Sequence, residues 1–95
     1  MSSKFIVFEG GEGSGKSSHV QLTADFLAQH HITATTTHEP GGTAVGQVLR
    51  RLILEQTLST KTELLLFLAD RAQHVAELIQ PMLDYGTSVI CDRFT

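Results

Sequence analysis

A parallel β-sheet flanked by helices, the α/β class, is the fold this sequence predicts, on three grounds. Segments of strand character alternate with longer segments of helical period, which is the order of βαβ units with right-handed crossovers. A glycine-rich loop, Gly10 to Ser17, stands between an apolar strand and the start of a helix. Charged residues (Glu9, His38 with Glu39, and Asp92 with Arg93) fall at the ends of the strand segments. A parallel sheet would gather them on one rim, where folds of this class bind ligands.

The first strand is Lys4 to Glu9, an apolar, aromatic and β-branched run that stops at the glycines. A helix from Lys16 to about Gln29 follows, with Val20, Thr23, Ala24 and Leu27 at helical spacing beside Leu22 and Phe26. His30 and His31 stand where cations favour a helix C-terminus, which explains them better than metal ligation does. Ile32 to Thr37 alternates as a short second strand and runs into the turn His38-Glu39-Pro40-Gly41-Gly42-Thr43. Thr43 can cap a second helix, carrying Val45, Val48, Leu49, Leu52 and Ile53 and ending near Glu55.

Ser59 to Thr62 offers caps for a third helix, from about Glu63 to Pro81, which should kink or end it, with a last turn reaching Tyr85. At about 100° per residue, Leu64, Leu68, Ala72, Val75 and Ile79 form one stripe, the expected core face. Phe67, Arg71 and His74 share another face, one that is not simply buried. Gly86 turns the chain into Ser88-Val89-Ile90-Cys91, a strand ending at Asp92.

The loop carries the strongest chemical signal, because Gly-Gly-Glu-Gly-Ser-Gly-Lys-Ser at 10–17 fits the phosphate-loop pattern GxxxxGK followed by Ser or Thr. A triphosphate needs several backbone N–H groups converging on its oxygens. Glycines at 10, 13 and 15 allow that approach, and the following helix adds its unpaired N–H groups. The ATP-binding set is therefore Gly10, Gly11, Glu12, Gly13, Ser14, Gly15, Lys16 and Ser17. Lys16 would reach the β and γ phosphates, and the Ser17 hydroxyl would bind Mg²⁺, a hard ion that takes oxygen. Asp92, after an apolar strand, stands where phosphate-loop enzymes keep a second Mg²⁺ ligand, often acting through water.

Composition narrows the setting. Ninety-five residues, 41% of them hydrophobic, make one domain with a modest core. A net charge of −3 without a basic block argues against nucleic acid as the main partner. The single cysteine, Cys91, sits in an apolar run and reads as a buried structural thiol in a reducing compartment, the cytoplasm. No signal-peptide region and no apolar stretch long enough to span a bilayer is expected, so no membrane partner either.

Four blocks in order resemble the thymidylate kinases, or dTMP kinases: Phe5-Ile6-Val7-Phe8-Glu9-Gly10, Glu39-Pro40-Gly41-Gly42-Thr43, Leu65-Leu66-Phe67-Leu68-Ala69-Asp70-Arg71, and Asp92-Arg93-Phe94. The resemblance covers the whole chain. It implies a phosphate-loop NTPase-type sheet, residues 1–95 forming the N-terminal part of the kinase domain and the strand ending at Asp92 lying between the other two. It also implies transfer of the ATP γ-phosphoryl group to dTMP, giving dTDP for dTTP biosynthesis, by a cytoplasmic homodimer joined through helices.

The same resemblance assigns roles. Phe67 would stack on thymine and Arg71 would bond its carbonyl edge. Glu12 would lie at the sugar of dTMP, Glu39 beside the acceptor, Arg50 at the dTMP phosphate and Arg93 near the transferred phosphoryl group. Arg51 competes with Arg50 for the inward position. The expected catalytic set is thus Lys16, Asp92 and Arg93.

Two departures stand out. His38 replaces an arginine common in bacterial members, and Gly13 stands where another branch places a loop arginine. The catalytic arginine of the matching branch comes from a later lid, so these 95 residues alone are expected to turn over dTMP poorly. Two other readings fit the same residues: a kinase for a different nucleoside monophosphate, and a non-catalytic nucleotide-binding module.

Overall fold

The computed structural model describes residues 3–10 and 15–93. Strands β1 (Phe5–Glu9), β2 (Ala34–Glu39) and β3 (Ser88–Arg93) form one parallel sheet in the order β1-β3-β2. Helices α1 (Lys16–Gln29), α2 (Ala44–Glu55), α3 (Thr60–His74) and α4 (Gln80–Asp84) connect and cover them. This is the predicted α/β class, with the central strand where the resemblance put it. Residues 89–91 of β3 are fully buried, as a middle parallel strand requires, whereas β1 lies at an edge with Phe5 exposed.

Pairing moves the second strand two residues along from its predicted bounds. The Ile32 N–H still belongs to the end of α1, bonding the Leu27 carbonyl at 2.9 Å, and the ladder with β3 runs from Ala34 opposite Ser88 to Glu39 opposite Arg93. A periodicity shared by 32–37 and 34–39 cannot reveal which residues find a partner. The consequence for the site is direct, because Glu9, Glu39 and Arg93 end level on the C-terminal rim.

On α1 the expected face holds, with Leu27 buried and Val20, Thr23 and Ala24 partly so. Thr43 caps α2 as predicted, its hydroxyl accepting from the Gly46 N–H at 2.9 Å. The inward face of α2 is Gly46, Leu49 and Ile53, leaving Val45, Val48 and Leu52 exposed.

The core stripe expected on the third helix is wrong. Leu64 and Leu68 are 57% and 50% exposed, Ala72 is exposed too, and of the stripe Ile79 alone is buried. The buried positions of α3 are Asp70 and His74. The physical reason is that α3 packs over the Glu39–Gly42 segment, whose backbone and carboxylate need polar partners, so the apolar period does not mark the inner face. The helix also starts earlier than predicted, with Ser59 accepting from the Thr62 N–H at 3.2 Å. It passes through Pro81 by widening: over Val75–Ile79 the turn is broader, and the Gln80 N–H reaches back to Val75. A proline without an N–H is absorbed just after that turn, in the first turn of α4.

Candidate active site

At the end of β1 the chain turns through Gly10 and enters α1 from Gly15, whose φ of 80° is left-handed backbone that a side chain would strain. Lys16 begins α1 and is buried. Its Nζ donates to the carbonyls of Gly10 at 2.6 Å and Arg93 at 2.9 Å and lies 2.7 Å from Asp92 Oδ1. Asp92 Oδ1 is itself buried and takes no aligned hydrogen bond among the described residues, where its contact with Lys16 is one of charge at short range. That leaves a carboxylate oxygen with lone pairs to spare beside Lys16, the residue before the exposed Ser17. An all-oxygen pair of this kind suits Mg²⁺. Gly11, Glu12, Gly13 and Ser14 lie outside the described residues.

Across β3 stands a second cluster, built on Glu39. Its Oε1 accepts from Arg71 Nε and from Arg93 Nε, each at 3.2 Å, and its Oε2 lies 2.7 Å from His74 Nδ1. Burial alone would raise the Glu39 pKa, but the hydrogen bonds from His74 and Arg71, with the charge of Arg71, outweigh it and hold the carboxyl below its ordinary value. Arg93 also bonds Glu9 at 2.8 Å. Burial works against the charge on Arg93, yet its two glutamate partners outweigh that and push its pKa up.

Glu39, His74 and Cys91 bring ligand-type atoms within 4.8 Å of one another. Of the three, Glu39 and His74 are hydrogen-bonded to each other, and Cys91 is buried beside them. Burial, then the charge of Glu39, pushes the Cys91 thiol up to about 12, and Glu39 already serves two arginines.

The loop after β2 is fitted to α3 by glycines. The Gly41 N–H donates to Asp70 Oδ1 at 3.0 Å. A Cβ at Gly42 would stand 2.6 Å from the His38 carbonyl and 2.7 Å from His74 Nε2, and one at Gly46 would overlap Asp70 Oδ1. Only glycine leaves α2 and α3 this close.

Two clefts result. One, of about 350 Å³, is lined by Phe67, Arg71, Glu39 and Arg93 together with Leu64 and Leu68. The other, also about 350 Å³, is lined by Thr37, His38, Arg50 and Asp92 with Val20. Each is large enough for part of a small ligand. Arg50 rather than Arg51 turns toward the second cleft, its Cδ lying 3.1 Å from where a Cβ on Gly41 would be. Arg51 faces an outer depression beside Gln47 and Leu54. The structure thus brings Lys16 to Asp92, and Glu39 to Phe67, Arg71 and Arg93, around the end of β3.

Sequence reasoning missed Asp70, Thr37 and the function of His74. Asp70 and His74 stand four residues apart on a helix that also carries Phe67 and Arg71, and a buried polar pair at that spacing was the available signal. Thr37 gave none, since threonine is common in strands.

Comparison with known proteins fits this geometry. The family model for thymidylate kinase matches residues 8–95. The thymidylate kinase of Desulfosudis oleivorans is 50% identical over 93 residues, covering 95% of this chain and 44% of that protein. The thymidylate kinase of Nostoc sp. is 49% identical over 98 residues, covering 99% of this chain and 46% of that one. The crystal structure of thymidylate kinase from Ehrlichia chaffeensis superposes with a TM-score of 0.84 at 40% identity, covering 99% of this chain and 55% of that chain. This chain spans about half the length of the curated relatives it matches.

Proposed function

The chain belongs to the thymidylate kinase family, and on that premise we propose that it carries the phosphate loop and the acceptor-base cleft of an enzyme that moves the ATP γ-phosphoryl group to dTMP. The observation that carries the reading is the meeting of two unlike clusters at one strand end. Lys16 with Asp92 forms a charged pair at a helix N-terminus, and Phe67, Arg71, Glu39 and Arg93 line a largely apolar cleft with a polar end. The first suits a polyphosphate and the second an aromatic base with a polar edge.

In the reaction, a phosphate oxygen of dTMP attacks the γ phosphorus as the bond to the β-phosphate oxygen breaks, and ADP leaves. No covalent enzyme intermediate is needed, so the protein positions and neutralises. Residues 10–17 cradle the phosphates of ATP, and Lys16 leaves the carbonyls of Gly10 and Arg93 to meet them. Ser17 and Asp92 would hold Mg²⁺, which neutralises charge on the phosphate oxygens. Phe67 stacks on thymine, Arg71 bonds its carbonyl edge, Arg50 takes the dTMP phosphate, and Glu12 accepts from the sugar hydroxyl. Arg93, steadied by Glu9 and Glu39, faces the transferred group.

The remaining assignments belong to the same proposal. The exposed Val45, Val48 and Leu52 of α2 support a homodimer joined through helices. Among the described residues no helix is long and apolar enough to cross a membrane; the cytoplasmic setting is proposed on the single buried, free thiol of Cys91. A non-catalytic nucleotide-binding role for the chain alone is favoured by one observation, its coverage of about half of each relative.

The test measures ADP release from ATP and Mg²⁺ with dTMP, dCMP, dGMP and AMP. It compares the 95-residue chain alone with the chain joined to the second half of the Ehrlichia relative. Release that is strongest with dTMP in the joined form supports the proposal. Equal release with every acceptor, or none in either form, refutes it.

A further inference from the structure

His74 has no exposed surface and no part in the chemistry above, yet both of its ring nitrogens are engaged. We propose that His74 is a positioning residue: it fixes the Glu39 carboxylate so that one oxygen is presented jointly to Arg71 and Arg93, tying recognition of the base to the phosphoryl-transfer side of the site. The proposal rests on the functional reading above.

The argument begins with the carboxylate. It has two oxygens, and an ionised carboxylate can only accept. Oε1 is shared by the two arginine Nε–H groups at 3.2 Å, and Oε2 takes the shorter bond, from His74 Nδ1 at 2.7 Å. Nδ1 therefore carries a proton. His74 Nε2 lies 2.7 Å from Thr37 Oγ1, a hydroxyl that can donate to a neutral ring or accept from a charged one. In either state the ring is pinned at both ends.

Both pins come from β2. Thr37 and Glu39 are two residues apart, so they lie on the same face of the strand, and His74 spans them. The ring is confined as well, since a Cβ at Gly42 would meet Nε2 at 2.7 Å. One turn earlier Asp70 holds the Gly41 N–H, so α3 is fastened to β2 and the following loop through two buried polar side chains. Phe67 and Arg71 ride on that same helix.

Arg71 shows why this matters. Its side chain is 46% exposed, and its bond to Glu39 is long at 3.2 Å. Such a guanidinium is free to swing into water unless its acceptor is fixed. Without the His74 bond, Oε2 would be a buried oxygen lacking a partner, and the carboxylate would rotate to find one. Arg71 and Arg93 would lose their common reference together.

Two variants separate positioning from packing. His74→Asn keeps an amide N–H near the place of Nδ1, whereas His74→Leu fills the space with no donor. Readouts are taken on the full chain, in whichever form above turns over dTMP, or on the chain as given if neither does. The first is the ¹⁵N NMR signal of the Arg71 and Arg93 Nε–H groups without ligand. The second is the preference for dTMP over dCMP.

His74→Leu should shift both arginine signals, speed their exchange with water and reduce the preference about tenfold, with His74→Asn restoring part of each. Unchanged arginine signals in His74→Leu overturn the proposal, as does an Asn variant no better than Leu at equal melting temperature. If His74→Leu does not fold, Thr37→Val releases the other end of the ring, and it should move both arginine signals in the same direction; unchanged signals there also overturn the proposal. A wild-type protein that does not distinguish bases would sink the kinase reading, while the ligand-free signals would still decide the role of His74.

Discussion

Replacing Gly46 with alanine sets two terms against each other, and the structure decides the sign. Within a helix the exchange ordinarily stabilises by about 0.5 to 1 kcal/mol, because glycine loses more backbone freedom on folding. Here the added methyl would overlap Asp70 Oδ1 and stand 3.0 Å from Thr43 Oγ1 and 3.3 Å from Gly41 Cα. Overpacking of this kind costs about 1 to 3 kcal/mol. A displaced Asp70 would also lose its bond to the Gly41 N–H, a charged hydrogen bond contributing about 1.5 to 3 kcal/mol. The net expectation is a loss of about 2 to 5 kcal/mol, which lowers the melting temperature of a domain this size by on the order of 10 °C or more. Thermal and denaturant unfolding of the wild type and Gly46→Ala would measure it. Adding Asp70→Ala to Gly46→Ala should cost less than the sum of the two single changes, because the clash is then gone. A melting temperature raised by Gly46→Ala would refute the close fit of α2 to α3 described above.

Lys16→Met should reduce ADP release about 100-fold or more by removing charge at the γ phosphate, and because Lys16 pairs with the partly buried Asp92 it should lower the melting temperature as well; turnover near wild type would remove Lys16 from the mechanism. Arg71→Ala should act on choice of base, narrowing the kcat/KM ratio of dTMP to dCMP by the equivalent of about 1 to 3 kcal/mol, and equal effects on both acceptors would show that Arg71 is not the reader. Glu39 has a pKa held below its ordinary 4.5, so its ionised form contributes stability that is fully present above 4.5 and drains away as the pH falls through the lower folded value. Denaturant midpoints should therefore fall on acidification below that point in the wild type and vary less in Glu39→Gln, which should be less stable at neutral pH; parallel acid limbs would contradict this.

Much of the fold was legible because it rests on local signals. The apolar run before the glycines, the cap at Thr43 and the period of Val20, Thr23, Ala24 and Leu27 each act within a few residues, and each is where it was expected. The misplaced second strand and the misplaced face of α3 depend instead on partners distant in sequence. Ile32 and Ala34 have similar strand character, and only the ladder with Ser88 to Arg93 chooses between them. Leu64 and Leu68 look like core, but the inner face of α3 must satisfy the Gly41 N–H and the Glu39 carboxylate, which no apolar period encodes. In the site, Lys16, Asp92, Glu39, Phe67 and Arg71 came from motif and resemblance, whereas the run of bonds from Thr37 through His74 to Glu39 appears only once the two segments are packed together.

The sequence Asp92-Arg93 shows how a single strand end can join the two clusters. Successive side chains of a strand point to opposite faces, so neighbours in sequence serve different sides of the sheet. Asp92 meets Lys16 at the start of α1, while Arg93 crosses to Glu39, the partner of Arg71 and His74 on α3. The backbone completes the link, because the Arg93 carbonyl accepts from Lys16 at 2.9 Å. If Lys16 leaves that carbonyl for a bound phosphate, as the proposed reaction has it, the last residue of β3 loses one of its tethers while Glu9 and Glu39 keep hold of the guanidinium. Arg93 would then keep its place through the β3 ladder and its two carboxylate partners, at the point where the proposed reaction neutralises charge. A carboxylate fixed from behind by His74 is what such an arrangement requires, since a guanidinium can be no better placed than the acceptor that orients it.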